Sequence, residues 1–326
     1  MSERDARDWI APMLATLVSA APLPEGWIYE PKLDGVRAIV SRQADGIHIH
    51  SRNHIRIERN YPEVVAALQR AIPAGVILDG EIVASDPRTG VPSFARLQQR
   101  MKRADPPPAL QHEVPVELWL FDCLRSGRSL LTSRPWADRR ELLERMVKEQ
   151  AAVRIAPVLD GSFDELYGAA CGLGMEGLIG KRREAAYRSG RSRDWVKLKC
   201  VSEQEFVIIG WTEPKGSRSG LGALLIGYHE GKQLRYAGKV GTGFTERVLA
   251  GLSAQLARLE RKTPPVAGLS LPPRDGAHWV EPRLVAQVGF TEWTGDGMLR
   301  HPRYLGLRDD RRAADVVRER PAATPA

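Results

Sequence analysis

Short apolar runs closed by turn residues dominate the sequence from Trp27 onward, and they restrict the chain to sheets covered by a few helices. Trp27-Ile28-Tyr29-Glu30 leads into a run over 36–41, and Ala44-Asp45-Gly46 is a turn signal. Ile47-His48-Ile49-His50 alternates with a period of two, placing both histidines on one strand face. That face reads as solvated rather than metal-binding, because no third ligand lies nearby. Residues 61–71 read as a helix with Val64, Val65 and Leu68 on one side. Val76-Ile77-Leu78 is a buried strand ending in Asp79-Gly80-Glu81, and Asp105-Pro106-Pro107-Pro108 a rigid surface loop. Further strands are predicted over 116–121, 153–158, 178–181 and 195–198. Residues 134–150 read as a charged helix whose apolar stripe is Leu142, Leu143 and Met146.

The character changes near Ser202. Strands over 205–212, 223–229 and 234–239 are separated by Gly-rich turns, and Thr245 caps a helix running to about Arg261. Its core face is Val248, Leu249, Leu252, Leu256 and Leu259; strands over 278–290 and 303–307 follow a Pro-rich loop. Several short strands with one helix interposed suggest a five-stranded oligonucleotide-binding (OB-fold) barrel, though periodicity alone does not separate it from other small barrels. The 326 residues therefore divide into residues 1–201, residues 202–319 and a tail over 320–326 that reads as disordered. No internal repeat is found.

The net charge of +8, with a pI near 9.6, favours anionic partners through long-range attraction and counterion release. Charge alone does not choose nucleic acid. Cys123, Cys171 and Cys200 are odd in number and widely spaced, so neither a zinc pair nor a disulfide framework is expected, which points to a reducing cytosol. Ser2-Glu3-Arg4-Asp5 is too mixed in charge for a secretory signal, and the apolar stretch over 9–24, with three prolines, is too short to span a bilayer. A soluble cytoplasmic protein is expected.

The sharpest local signal is Glu30-Pro31-Lys32-Leu33-Asp34-Gly35-Val36-Arg37. It sets a lysine at a strand end, where its amine can meet a ligand. A lysine amine is a poor nucleophile while protonated (free pKa about 10.4), and desolvation or nearby cations expose its lone pair. Taken alone, Lys-x-Asp-Gly suits an ordinary hairpin. Other polar clusters, however, interrupt strands in a consistent order. Leu78-Asp79-Gly80-Glu81 and Met175-Glu176-Gly177-Leu178-Ile179-Gly180-Lys181 each set a carboxylate beside an apolar run. Two such carboxylates can hold a hard divalent cation together with substrate phosphates. Asp194-Trp195-Val196-Lys197-Leu198-Lys199 puts two lysines on one strand face, which suits a phosphate clamp.

In this order the clusters resemble the motifs of the covalent nucleotidyltransferases, the superfamily of DNA ligases, RNA ligases and mRNA-capping enzymes. The stretches 281–294, with Gly289-Phe290-Thr291-Glu292-Trp293, and 297–308, with His301-Pro302-Arg303-Tyr304, resemble the barrel of ATP-dependent DNA ligases, above all bacterial end-joining (ligase D-type) modules. The resemblance runs from Pro12 to Arg311 and implies an α+β fold: an antiparallel-sheet, ATP-grasp-like nucleotidyltransferase domain followed by the barrel. It implies that Lys32 attacks the α-phosphate of ATP and carries AMP. Glu30 would read the adenine edge, Phe121 stack on the base, and Arg37 contact the ribose. Arg52 would touch a phosphate, and Lys197 and Lys199 hold the α-phosphate. Glu81 would contact ribose or metal, with Glu176 binding Mg²⁺ or Mn²⁺. Arg308, Asp310 and Arg311 would close over the departing pyrophosphate; the family commonly has lysine where Arg311 stands, so its contact geometry differs. AMP would then pass to the 5′-phosphate at a break, and the 3′-hydroxyl would displace it.

Nicked or broken duplex DNA is the implied substrate, a Ku-like end-binding protein the implied partner, and a monomer the implied state. No separate N-terminal DNA-binding domain, zinc ribbon, polymerase or phosphoesterase module is read, which implies a compact stand-alone ligase. Three alternatives stay in view. A capping guanylyltransferase shares the lysine motif but uses GTP, an RNA ligase shares the chemistry, and a non-catalytic clamp would use only the basic barrel.

Overall fold

The computed structural model describes residues 9–101, 103–200, 202–214, 220–266 and 276–325. The Ser2–Asp5 reading, the Val201 boundary, most of the Pro-rich loop and Ala326 lie outside them. The chain forms two compact units, one of residues 1–200 with 320–326, the other of residues 201–319. Among the described residues no helix is long and apolar enough to cross a membrane.

The first unit holds two sheets. The smaller runs β1–β10–β9–β2 and the larger β4–β3–β5–β6–β7, with β8 also on β6. The strands are β1 (Met13–Leu17), β2 (Trp27–Pro31), β3 (Val36–Gln43), β4 (Gly46–His50), β5 (Val76–Val83), β6 (Glu117–Ser126), β7 (Ser129–Leu130), β8 (Val153–Ile155), β9 (Gly177–Arg182) and β10 (Gly190–Lys199). Pairing is antiparallel except for β1 with β10 and β6 with β8. Met13, Ile28 and Trp195 from one sheet meet Ile39, Ile77, Phe121 and Leu124 from the other in a shared apolar layer. The far face of the larger sheet (Val40, Leu78, Ile82, Leu118, Leu120) packs on helices α1 (Pro62–Ala71) and α4 (Trp136–Met146), the fourth helix of the unit. Short helices α2 (Phe94–Leu97) and α3 (Pro108–Glu113) lie between them in sequence, so the triple-proline segment starts a helix, with Pro108 at its first position, where its missing N–H costs nothing.

Helix α5 (Phe163–Gly172) covers the outer face of the smaller sheet. Ser162 and Glu165 form a reciprocal capping box at its start. The histidine strand is not solvated. His48 and His50 are buried; His48 bonds Asp45 (2.9 Å) and Arg56 (2.7 Å). Burial, with the nearby His54 charge, pushes His50 down to about 4, so it is neutral near pH 7.

Two expectations are corrected here. Cys171 and Cys200 are paired in a disulfide, their Cα atoms 5.2 Å apart. The end of α5 lies at the end of β10, a contact that a separation of 29 residues does not reveal. Cys123 is the free cysteine and is buried. Residues 320–325 are not a disordered tail. Ala322 bridges Val18, its N–H donating to the Leu17 carbonyl (2.9 Å), and Arg193 bonds the Ala323 carbonyl (2.9 Å). The free carbonyls at the end of edge strand β1 recruit that extended segment.

The second unit is built on β11 (Ser202–Thr212), which pairs with β12 (Ala223–Glu230) on one side. Its other side takes both β15 (Ala277–Val280) and β16 (Val285–Phe290). β13 (Gln233–Val240), β14 (Glu260–Arg261) and β19 (Arg303–Leu307) complete a seven-stranded sheet, while β17 (Glu292–Trp293) and β18 (Leu299–Arg300) form a separate hairpin. Helix α6 (Glu246–Ala257) is capped by Thr245, as read, and buries Leu249, Leu252 and Leu256. The strand count exceeds five because Glu281-Pro282-Arg283 splits one predicted strand in two, and because β14, just after α6, and the β17–β18 hairpin lie outside the predicted runs. Nor is the barrel closed. Among the described residues β13 and β19 do not pair as a ladder; the segment after β13 meets β19 through the Tyr304 N–H to the Thr242 carbonyl (2.9 Å), and the Thr242 hydroxyl donates to the Pro302 carbonyl.

Candidate active site

Lys32 follows the last residue of β2, and its N–H donates to the Gly177 carbonyl at 2.9 Å, pinning the turn to the start of β9. Glu176, one residue earlier, is thereby brought to the lysine. Its Oε2 accepts from Lys32 Nζ, and its Oε1 lies 3.8 Å from Lys199 Nζ. Lys197 and Lys199 share a face of β10, and the Lys197 charge also reaches Glu176. The three lysines and the carboxylate predicted from separated stretches thus converge. Burial pushes the Glu176 carboxyl up, but Lys32, Lys199 and Lys197 together hold it below its ordinary value, so it stays ionised.

This sets a sign for acid sensitivity. A depressed folded-state value gives stability that is complete above the ordinary carboxylate range and is lost as pH falls through and below it. Glu176→Gln is expected to flatten the stability-versus-pH curve of the first unit between about pH 5 and 2. Identical acid-unfolding curves for both proteins would contradict the assignment.

Gly177 permits this approach. Its φ of +137° is one that side chains rarely adopt, and a β-carbon there would run into the Leu198 carbonyl oxygen. Gly177→Ala is expected to cost several kcal/mol and to displace Glu176, read as a lowered melting temperature together with loss of nucleotide transfer.

A second cluster lies between the sheets. Arg37 on β3 faces Glu81 on β5, which in turn faces Trp119 on β6. Arg52 lies two residues past the end of β4, in a turn closed by the His54 N–H on the Ser51 carbonyl (3.0 Å), and outside this row of strand partners. Arg37 makes a bidentate pair with Asp79 (2.5 and 2.6 Å), and Tyr187 donates to the same carboxylate at 2.6 Å. The Arg37 guanidinium sits 4.8 Å from the Phe121 ring centre. Lys181 sits 4.4 Å from that centre and 2.7 Å from Glu30. Burial pushes Glu30 up and Lys181 down, and each is pulled back by the other's charge. Glu30 Oε1 is buried with no hydrogen-bond partner, an acceptor still to be satisfied.

Asp79, Tyr187, Lys181 and Arg140, which reaches Glu30 at 3.6 Å, were not predicted. Asp79 carried a signal: a charged residue inside a buried run. In the second unit Arg308 is paired bidentately with Asp310 (2.9 and 2.8 Å), and Arg311 reaches Glu205 at 2.8 Å.

Comparison with known proteins decides the family. Residues 12–199 match the model of the ATP dependent DNA ligase domain, and residues 217–311 that of the ATP dependent DNA ligase C terminal region. The chain belongs to the ATP-dependent DNA ligase family. It is 39% identical over 329 residues to the multifunctional non-homologous end joining protein LigD of Pseudomonas aeruginosa, covering 98% of this chain and 38% of that one. It is also 39% identical over 318 residues to the LigD of Mycobacterium tuberculosis, covering 96% and 40%. The chain therefore spans about two fifths of the length of these relatives. A solved mycobacterial DNA ligase D, complexed with ATP and MES, is similar with a TM-score of 0.67 at 36% identity, covering 95% of this chain and 98% of that one. ATP dependence and a mixed α+β architecture go with this family.

Proposed function

We propose that this ligase seals 5′-phosphate/3′-hydroxyl breaks in duplex DNA through a lysyl-AMP on Lys32, during end joining in the bacterial cytoplasm. The observation that supports this most is the meeting of Lys32, Glu176 and Lys199 around one point, with the buried Glu30 two residues before Lys32 on β2. In the first step Lys32 gives up its ammonium proton to solvent and turns from Glu176. Its nitrogen attacks the α-phosphorus, an N–P bond forms, the α–β P–O bond breaks, and pyrophosphate leaves. Lys197 and Lys199 neutralise the α-phosphate while charge builds. Adenine stacks on Phe121 with its amino group toward Glu30 Oε1, and Arg37 and Glu81 hold the ribose. Arg52 contacts a phosphate, and Arg308, Asp310 and Arg311 close on the pyrophosphate. AMP then passes to the 5′-phosphate, and the 3′-hydroxyl displaces it.

Among the described residues no group of three or more His, Cys, Asp or Glu gathers as a metal site. Glu176, with Glu81 as the second candidate, would hold a magnesium or manganese ion together with nucleotide phosphates, since such ions need only one or two carboxylates. When bound, the ion would supply charge neutralisation on the transferring phosphoryl group. The relatives are non-homologous end joining proteins by name, which supports broken ends as substrate; a Ku-like end-binding partner and a monomeric state are part of the same proposal. The test is incubation with α-labelled ATP or GTP, then with nicked or broken DNA. Label from ATP alone, followed by sealing, is the expected result. Label from GTP would move the chain to capping chemistry, and no label after pyrophosphate pretreatment would overturn the assignment.

A further inference from the structure

The disulfide ties together the two segments that carry the partners of Lys32. Cys171 ends α5 five residues before Glu176, and Cys200 directly follows Lys199. Between them the Cys200 N–H donates to the Glu176 carbonyl at 3.1 Å, and Lys199 is the ladder partner of Gly177. The Tyr167 hydroxyl, also on α5, donates to the Lys199 carbonyl at 2.8 Å. The link from Cys171 to Glu176 is a turn, with Gly174 at φ +77° and its N–H bonded to the Cys171 carbonyl at 3.1 Å. Without the bridge, that turn is the loosest support of the carboxylate.

Both sulfur-bearing residues are half-buried and within reach of small thiol reagents, and neighbouring Leu173 is 64% exposed. Cys123 is no rival partner: burial pushes its thiol up to about 12, which leaves it protonated and inert.

We propose that Cys171 and Cys200 are a reversible oxidation site, a clasp whose closure fixes Glu176 against Lys199 and Lys32. The co-reactant is a low-molecular-weight disulfide such as oxidised glutathione. One protein thiolate attacks it and expels a thiolate. The second attacks the mixed sulfur and expels the other, so two electrons and two protons leave the protein. The backbone ladder around the bridge persists without it, so the reduced chain keeps its fold with a looser carboxylate. The catalytic consequence rests on the reading of Lys32 as the adenylated residue. A better-held cluster forms lysyl-AMP about three- to tenfold faster.

The experiment equilibrates the full chain in glutathione redox buffers. It follows thiol count by mass after alkylation, amide exchange over residues 171–178, and single-turnover transfer from labelled ATP. Expected is a two-electron transition in which two thiols disappear, exchange slows and transfer quickens together, with C171S and C200S held at the reduced values in every buffer. Three thiols at every potential, or a bridge that changes neither exchange nor transfer, would overturn the clasp. Absence of lysyl-AMP at every potential would instead remove the ligase reading, and amide exchange alone would then decide the clasp.

Discussion

Lys32→Ala is expected to leave no covalent nucleotide on the denatured chain and to cut sealing of ordinary nicks by on the order of 10⁴–10⁶, the scale seen when a covalent nucleophile is deleted. The loss follows from position. Lys197 and Lys199 share the neighbourhood, but each is committed to a face of β10, and only Lys32 sits on a turn tied to Gly177. Lys32→Arg is expected to fail equally, because a guanidinium cannot shed its proton to attack phosphorus. A nick already carrying 5′-adenylate bypasses the first step, so Lys32→Ala should still seal it. A variant that cannot seal pre-adenylated DNA would show that Lys32 shapes the fold or a later step, and a variant still labelled would remove it as nucleophile.

The largest loss of stability is expected from Asp122→Ala. Asp122 and Arg139 are both fully buried and joined by two hydrogen bonds of 2.7 and 2.8 Å. Arg139 also donates to the Arg134 and Ala185 carbonyls, tying α4 to the loop after β9. Removing the carboxylate strands a buried guanidinium, which costs about 3–5 kcal/mol. For a unit of this size that is a fall of roughly 6–20 °C in melting temperature. Replacing both partners with apolar residues of similar volume should recover most of it. The effect is read by calorimetry. A drop of less than about 2 °C would mean that water reaches Arg139 and satisfies it.

Most of the candidate site was legible in the sequence because it follows strand ends. A polar residue that interrupts an apolar run, as Glu176 precedes Gly177 and Lys32 follows Pro31, announces itself locally. The alternation that placed Lys197 and Lys199 on one face needed only a period of two. What stayed hidden depends on contacts between distant segments. Nothing near Cys171 indicates Cys200, and nothing near Met13 indicates that β1 runs parallel to β10. Asp79 reads as part of a polar break, yet its work is to hold Arg37 with help from Tyr187, 108 residues away. Helix α5 was missed although Ser162-Phe163-Asp164-Glu165 is a capping signature. Gly168 and Gly172, both poor helix formers, interrupt its apolar residues and hid the helix from a local reading.

The segment over residues 320–325 makes the first unit discontinuous in the chain, which matters while the protein is being made. A ribosome working at about 5–20 residues per second reaches Ala322 roughly 6–25 s after Cys200. Through that interval the end of β1 has no strand on the side away from β10, and Leu17 and Ser19 present carbonyls that the later segment will occupy. An unpaired sheet edge is a template for the wrong neighbour. The nascent chain is thus most vulnerable to association on polysomes at β1, and the second unit, completed in the meantime, is what delivers the cover.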